Sequence, residues 1–132
     1  MNAASIDIKD MLLEESSFGF IFGEDLHIGK EPTSPNICVT LFDTSGFAPA
    51  MTLDSQSYYY SSIQIRIRHT DYDLGMDLSI LIMDTLHGRA QETWNGTLYS
   101  TIIAMGEPVL LDWDDNGNAR FVINFNMQRR AA

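Results

Sequence analysis

The stretch "SSIQIRIRHTDYDLGMDLSILIMDTLHG", residues 61–88, constrains the fold more than any other part of the chain. Ile63, Ile65 and Ile67 alternate with Gln64, Arg66 and Arg68, the period of a strand with one buried and one polar face. Beyond Thr70 the period changes. Leu74, Leu78, Leu81, Ile82 and Leu86 fall at i, i+4, i+7, i+8 and i+12, the apolar stripe of a helix at about 71–87. Thr70 with Asp73 reads as a capping box, and Gly88 suits the position after the helix. Gly75 inside the helix costs about 1 kcal/mol relative to Ala, which the stripe outweighs. A strand feeding directly into an amphipathic helix points to helices laid on a sheet.

The flanking segments extend that reading. Ser5 is an expected N-cap, with Ile8, Met11 and Leu12 on one face of a helix over about 5–14. "GFIFGE" (19–24) reads as a short strand, and "HIGKEPTSPN" as a loop broken by Pro32 and Pro35. The run 36–42 is an expected buried strand, followed by a long loop over 43–57 that forms the first candidate contact surface. After a polar loop, "RAQETWNG", a strand is expected over 97–105. Residues 109–113 and 119–127 form the arms of a C-terminal hairpin, with Phe121, Ile123, Phe125 and Met127 facing one way. The order helix, three strands, helix, three strands gives an α+β fold of a single domain. Its mostly antiparallel or mixed sheet carries helices on one face.

Composition limits the chemistry. With 132 residues, 45% of them hydrophobic, the chain can bury a core of its own. The net charge of −10 argues against gripping nucleic acid through phosphate neutralisation, which needs clustered cations. It suits a surface past which nucleic acid slides. The lone cysteine, Cys38, lies in an apolar run and reads as a buried, inert thiol. Acids among the first 15 residues do not read as a secretory leader, and no apolar run has the length of a membrane span. "NGT" at 95–97 reads as a turn.

"DWDDNG" (112–117) opens like a calcium loop, but its twelfth position is Ile123, which cannot ligate, and both flanks are strand-like. A type I′ turn with Asn116 and Gly117 at positive φ needs less. A weak surface ion at Asp112, Asp114 and Asp115 stays open as an alternative. His27, His69 and His87 are too dispersed for a zinc site, and no phosphate loop or nucleophile motif is present. No catalytic residue, metal or cofactor is assigned. Arg66, Arg68, Arg129 and Arg130 are candidates for ion pairs, within the molecule or between copies of it.

Three segments together, "NICVTLFDTSGFAP", "SSIQIRIRHTDYDLGMDLSILIMDTLHG" and "MGEPVLLDWDDNGNARFVINFNMQRR", resemble the tail terminator, or minor capsid (tail completion), proteins of long-tailed, siphovirus-like bacteriophages. The resemblance spans roughly residues 36–130. It implies a non-enzymatic virion protein, made in the host cytoplasm and placed at the head–tail junction. As a homo-hexameric ring it would cap the tail tube protein and join it to the head–tail connector or stopper, with DNA passing through the lumen. The interface candidates are then Asp43, Phe47, Gln64, Arg66, Arg68, Arg129 and Arg130. Another neck or tail-tube component is the alternative, with a small metal-dependent hydrolase behind it.

Overall fold

The computed structural model describes residues 1–50 and 58–132. Helix α1 (Ala4–Glu14) leads to strands β1 (Leu26–Ile28), β2 (Cys38–Phe47) and β3 (Tyr59–His69). Helix α2 (Tyr72–Leu86) is followed by β4 (Ala90–Trp94), β5 (Thr97–Ala104), β6 (Val109–Trp113) and β7 (Ala119–Ala131). The seven strands make one sheet in the order β1-β2-β3-β7-β5-β4. Strands β5 and β6 share one side of β7, taking its C-terminal and N-terminal halves respectively. Among these strands β1 and β2 run parallel and the other pairings are antiparallel. The edge strands β1, β4 and β6 are short, which limits unwanted strand addition.

The core follows from alternation across the register. Val39 and Leu41 pair with Ile67 and Ile65, which pair in turn with Phe121 and Ile123. These side chains project from one face and are buried under Ile8, Met11 and Leu12 of α1 and Ile82 and Leu86 of α2. Both helices thus cover the same face, as the α+β reading requires.

Several local expectations change. The short strand is β1 at 26–28 rather than 19–24, where Phe22 makes only an isolated bridge to Leu26. Strand β2 continues to Phe47, into the expected loop, because Asp43, Thr44 and Phe47 pair with β3. Residues 48–50 follow without regular structure, and the rest of that expectation, 51–57, lies outside the described residues. The polar stretch at 90–94 is strand β4. It is joined to β5 by Asn95 and Gly96, at φ 50° and 78°, the two positive-φ positions of a type I′ turn. In the β6–β7 turn Gly117 alone is at positive φ, and its N–H donates to the Asp114 carbonyl at 3.1 Å. The expected I′ geometry belongs to the other Asn-Gly pair.

Helix starts are also decided by neighbours. Asp71, not Thr70, caps α2, accepting from the Leu74 N–H at 2.9 Å. Ser5 does not cap α1 with its own side chain. Its N–H and hydroxyl both donate to the Asp43 carboxylate on β2, at 3.0 and 2.6 Å. A strand residue therefore satisfies a first-turn donor that the helix leaves open.

The buried seam of α2 is rotated from the leucine stripe. Gly75, Ser79, Ile82 and Leu86 face the sheet, while Leu74 and Leu81 are 57% and 56% exposed. The cause is close approach: a Cβ on Gly75 would stand 2.6 Å from Cε2 of Phe121 and 2.9 Å from Cβ of His69. Small residues on the seam let the helix axis drop onto β7, and the leucines are displaced to its flank. Gly75→Ala should therefore destabilise by about 1–3 kcal/mol through overpacking. Helix propensity alone would stabilise by about 1 kcal/mol. The sign of the shift in a urea unfolding midpoint separates the two.

Candidate functional site

Among the described residues, the face of the sheet turned away from the two helices is left open. Its rows follow from the register. Phe47, Tyr60, Gln128 and Thr101 form one row, and Thr44, Ser62, Asn126 and Ile103 the next. Phe42, Gln64 and Asn124 form a third, with Met105 beside Asn124, and Thr40, Arg66, Val122 and Val109 a fourth. A polar spine runs down the middle: the Ser62 hydroxyl donates to Asn126, and the Gln64 amide donates to Asn124 at 3.2 Å. Apolar groups flank it, with Phe47 72% exposed on one side and Met105 62% exposed on the other. Phe47 reaches this face because a bulge between Thr44 and Phe47 is built on Gly46. Gly46 has a φ of 61°, and any Cβ there would overlap the Tyr60 carbonyl oxygen.

Four of the expected interface residues share this face: Phe47, Gln64, Arg66 and Arg130. The Arg66 guanidinium lies 4.9 Å from the centre of the Phe42 ring, and its Nε donates to Gln64 Oε1 at 2.9 Å. It is thus held in place while remaining partly exposed. Arg130 pairs with Leu98 at the far end of the same face.

The other three are engaged inside the molecule. Asp43 projects to the helix side, where it holds the first turn of α1. Arg68 continues the polar alternation of β3 but is buried. It donates to the carbonyls of Pro32, Pro35 and Asn36 at 2.7, 2.6 and 3.2 Å, and faces Glu31 at 3.5 Å and Asp114 at 4.0 Å. Arg120 adds Glu31 at 3.2 Å and Asp112 at 3.4 Å. This network fastens the 31–36 loop to the β6–β7 turn, so Arg68 cannot offer its charge to a partner.

Arg129 closes the opposite end of the core. Its Nη1 donates to the Asn2 carbonyl at 2.7 Å and its Nε to Ser61 at 2.9 Å. Beside it the Tyr99 hydroxyl donates to the buried carboxylate of Asp7, which also accepts from the Asn95 amide at 2.7 Å. Burial first, and then the Asp7 carboxylate, push the Tyr99 hydroxyl well above its ordinary range.

The acidic turn has a structural use. Asp114 Oδ1 accepts from the N–H groups of Asn116 and Asn118, and Oδ2 from the Asn118 amide. The Asn118 N–H, foremost, holds the Asp114 carboxyl below the usual range against the opposing effect of desolvation. Asp112, itself exposed, faces Arg120, and Asp115 is exposed beside them. Cys38 is buried, and burial pushes its thiol up.

Sequence patterning identified the alternating positions of β3 and β7 but not the apolar members from β5 and β6. Ile103, Met105 and Val109 join the surface only through pairing with β7. Nor did it separate Arg66 from Arg68, which differ in what covers them.

The sequence model of the bacteriophage tail terminator protein family matches residues 15–130. The chain belongs to that family. Among solved structures, a chain described as "Virion of native gene transfer agent (GTA) particle" has the same fold, with a TM-score of 0.63 at 11% identity. The alignment covers 98% of this chain and 96% of that one. No curated protein matches. The match places this tail terminator family member among phage tail structural proteins. No helix among the described residues is long and apolar enough to cross a membrane.

Two predictions follow from the arginine and tyrosine environments. Arg68→Ala should cost about 3 kcal/mol or more, because it strands buried carbonyls and acids. Arg66→Ala should stay within about 0.5 kcal/mol; parallel denaturant titrations compare them. Tyr99 is held protonated in the fold above the ordinary tyrosine value of about 10, so stability should decline as pH rises beyond about 10. Tyr99→Phe should flatten that decline while lowering stability at neutral pH by about 1–3 kcal/mol.

Proposed function

We propose that this protein forms a ring, hexameric as its family resemblance implies, that caps the finished tail tube and joins it to the head-proximal connector. DNA passes through the lumen during packaging completion and ejection. The role is non-enzymatic. The observation that carries this reading is the match of residues 15–130 to the tail terminator family. The fold supports it, because both helices lie on one side of the sheet and leave the other side uncovered. The chain thus presents two unlike faces, and ring closure through a heterologous contact joins unlike patches.

The charge supports the same reading. The chain has a net charge of −10, and a lumen built from so acidic a protein repels phosphates and lets DNA move without being trapped. The partners on this reading are further copies of the chain, the tail tube protein and the connector or stopper. The site of synthesis is the host cytoplasm and the site of residence the head–tail junction.

Gold-labelled antibody against the protein, applied to purified particles, should give a single focus at the junction between head and tail. Particles lacking the protein should carry tails without attached heads. Label spread along the tail would instead identify a tube component, and particles without label would remove the virion assignment.

A further inference from the structure

The charges that the open sheet face and the outer side of α2 leave without an internal ion pair differ in sign. The sheet row Cys38–Arg68–Arg120–Asp112 is occupied by ion pairs among Arg68, Arg120, Glu31, Asp112 and Asp114. In the other four rows and the adjoining Leu98–Arg130 pair the charged side chains are Arg66 and Arg130. On the other side, α2 contains three outward carboxylates, Asp73, Asp77 and Asp84, at i, i+4 and i+11, all exposed. The sequence 72–86 contains no Lys or Arg. Alongside these acids run Leu74 and Leu81, displaced to the flank by the Gly75 seam and more than half exposed. The sheet face offers matching apolar groups in Phe47, Ile103 and Met105.

We propose that the open sheet face of one copy docks on the outer side of α2 in the next copy. This deepens the ring reading and rests on it. The alternatives within a self-assembly are disfavoured by charge. Helix against helix opposes three aspartates to three aspartates, and sheet against sheet opposes arginine to arginine. Sheet against helix opposes Arg66 to Asp77 and its neighbours, with the leucines of α2 covered by the apolar flanks of the spine. An apolar centre with a polar, charge-matched rim is the composition of a specific interface. Arg66 suits the task, since Phe42 and Gln64 already hold its guanidinium and little side-chain freedom is lost on docking. The contact is heterologous, as a ring requires.

Disulfide trapping tests the pairing. Asn124→Cys marks the sheet face and Ile80→Cys marks α2, which leaves the three aspartates in place; both positions are exposed, and native Cys38 is buried. The two proteins, differing in mass by a tag, are mixed and oxidised at high concentration. The mixed dimer should exceed either same-site dimer by about five-fold, the effect of one good ion pair, and 1 M salt should reduce the excess. Arg66→Glu in the sheet-marked chain should abolish the excess, and Asp73→Lys in its partner should restore it. Equal yields of the three dimers, dominance of a same-site dimer, or no cross-linking would each overturn the proposal. Junction labelling of particles is independent of this outcome, so the docking geometry can fail while the tail terminator role stands.

Discussion

The antiparallel pairing of β3 with β7 is the contact on which the rest of the molecule depends. Eleven residue pairs, from Tyr59–Arg129 to His69–Ala119, align the two most regular strands at the centre of the sheet. Because side chains alternate at period two, this one register fixes both faces together. A slip by one residue would turn Ile63, Ile65 and Ile67 to solvent and bury Gln64 and Arg66. The helices have a face to cover only while that register holds, and the polar spine of Ser62–Asn126 and Gln64–Asn124 exists only in the same register.

Each end of the central pair is closed by an arginine. Arg68 lies at one end, on the polar side, and gathers the carbonyls of the 31–36 loop together with Glu31 and Asp114. Arg129 lies at the other, continuing the apolar stripe of β7, and binds the N-terminal segment beside the Asp7–Tyr99 pair. Arginine suits both positions because its planar group can satisfy several oxygens at once and stays charged when buried. A buried charge left unpaired would be costly, so these networks fix the loop and the terminus in defined places. The surfaces proposed above for docking, the open sheet face and the outer side of α2, lie outside these internal networks.

Much of this was legible in residue order. Alternation in β3 and β7 specified two unlike faces. The helical period after Thr70 placed α2, and the absence of an acid at position 123 removed the calcium loop. Other features were not legible. The α2 seam is set by size rather than hydrophobicity: Leu74 and Leu81 outrank Gly75 and Ser79 on any apolar scale, yet a Cβ at position 75 would already crowd Phe121. The strand at 90–94 looks polar because it is an edge with little to bury. Arg66 and Arg68 are chemically identical and two residues apart, and nothing local tells which one the 31–36 loop will cover.

By itself, then, the sequence determined the α+β class, the central strands and the division into an apolar and a polar sheet face, since these follow from periodicities of two and 3.6. Its order of motifs also carried the family to which the chain belongs. The tertiary structure alone decided which charges are internal, which leucines are displaced to the surface and which distant strands complete the open face. Those outcomes depend on contacts between segments far apart in the chain, as when Asp43 holds the helix that begins at Ala4 and Arg129 binds the carbonyl of Asn2. Burial is a property of what lies opposite a residue, and only the folded chain brings the opposite partner into place.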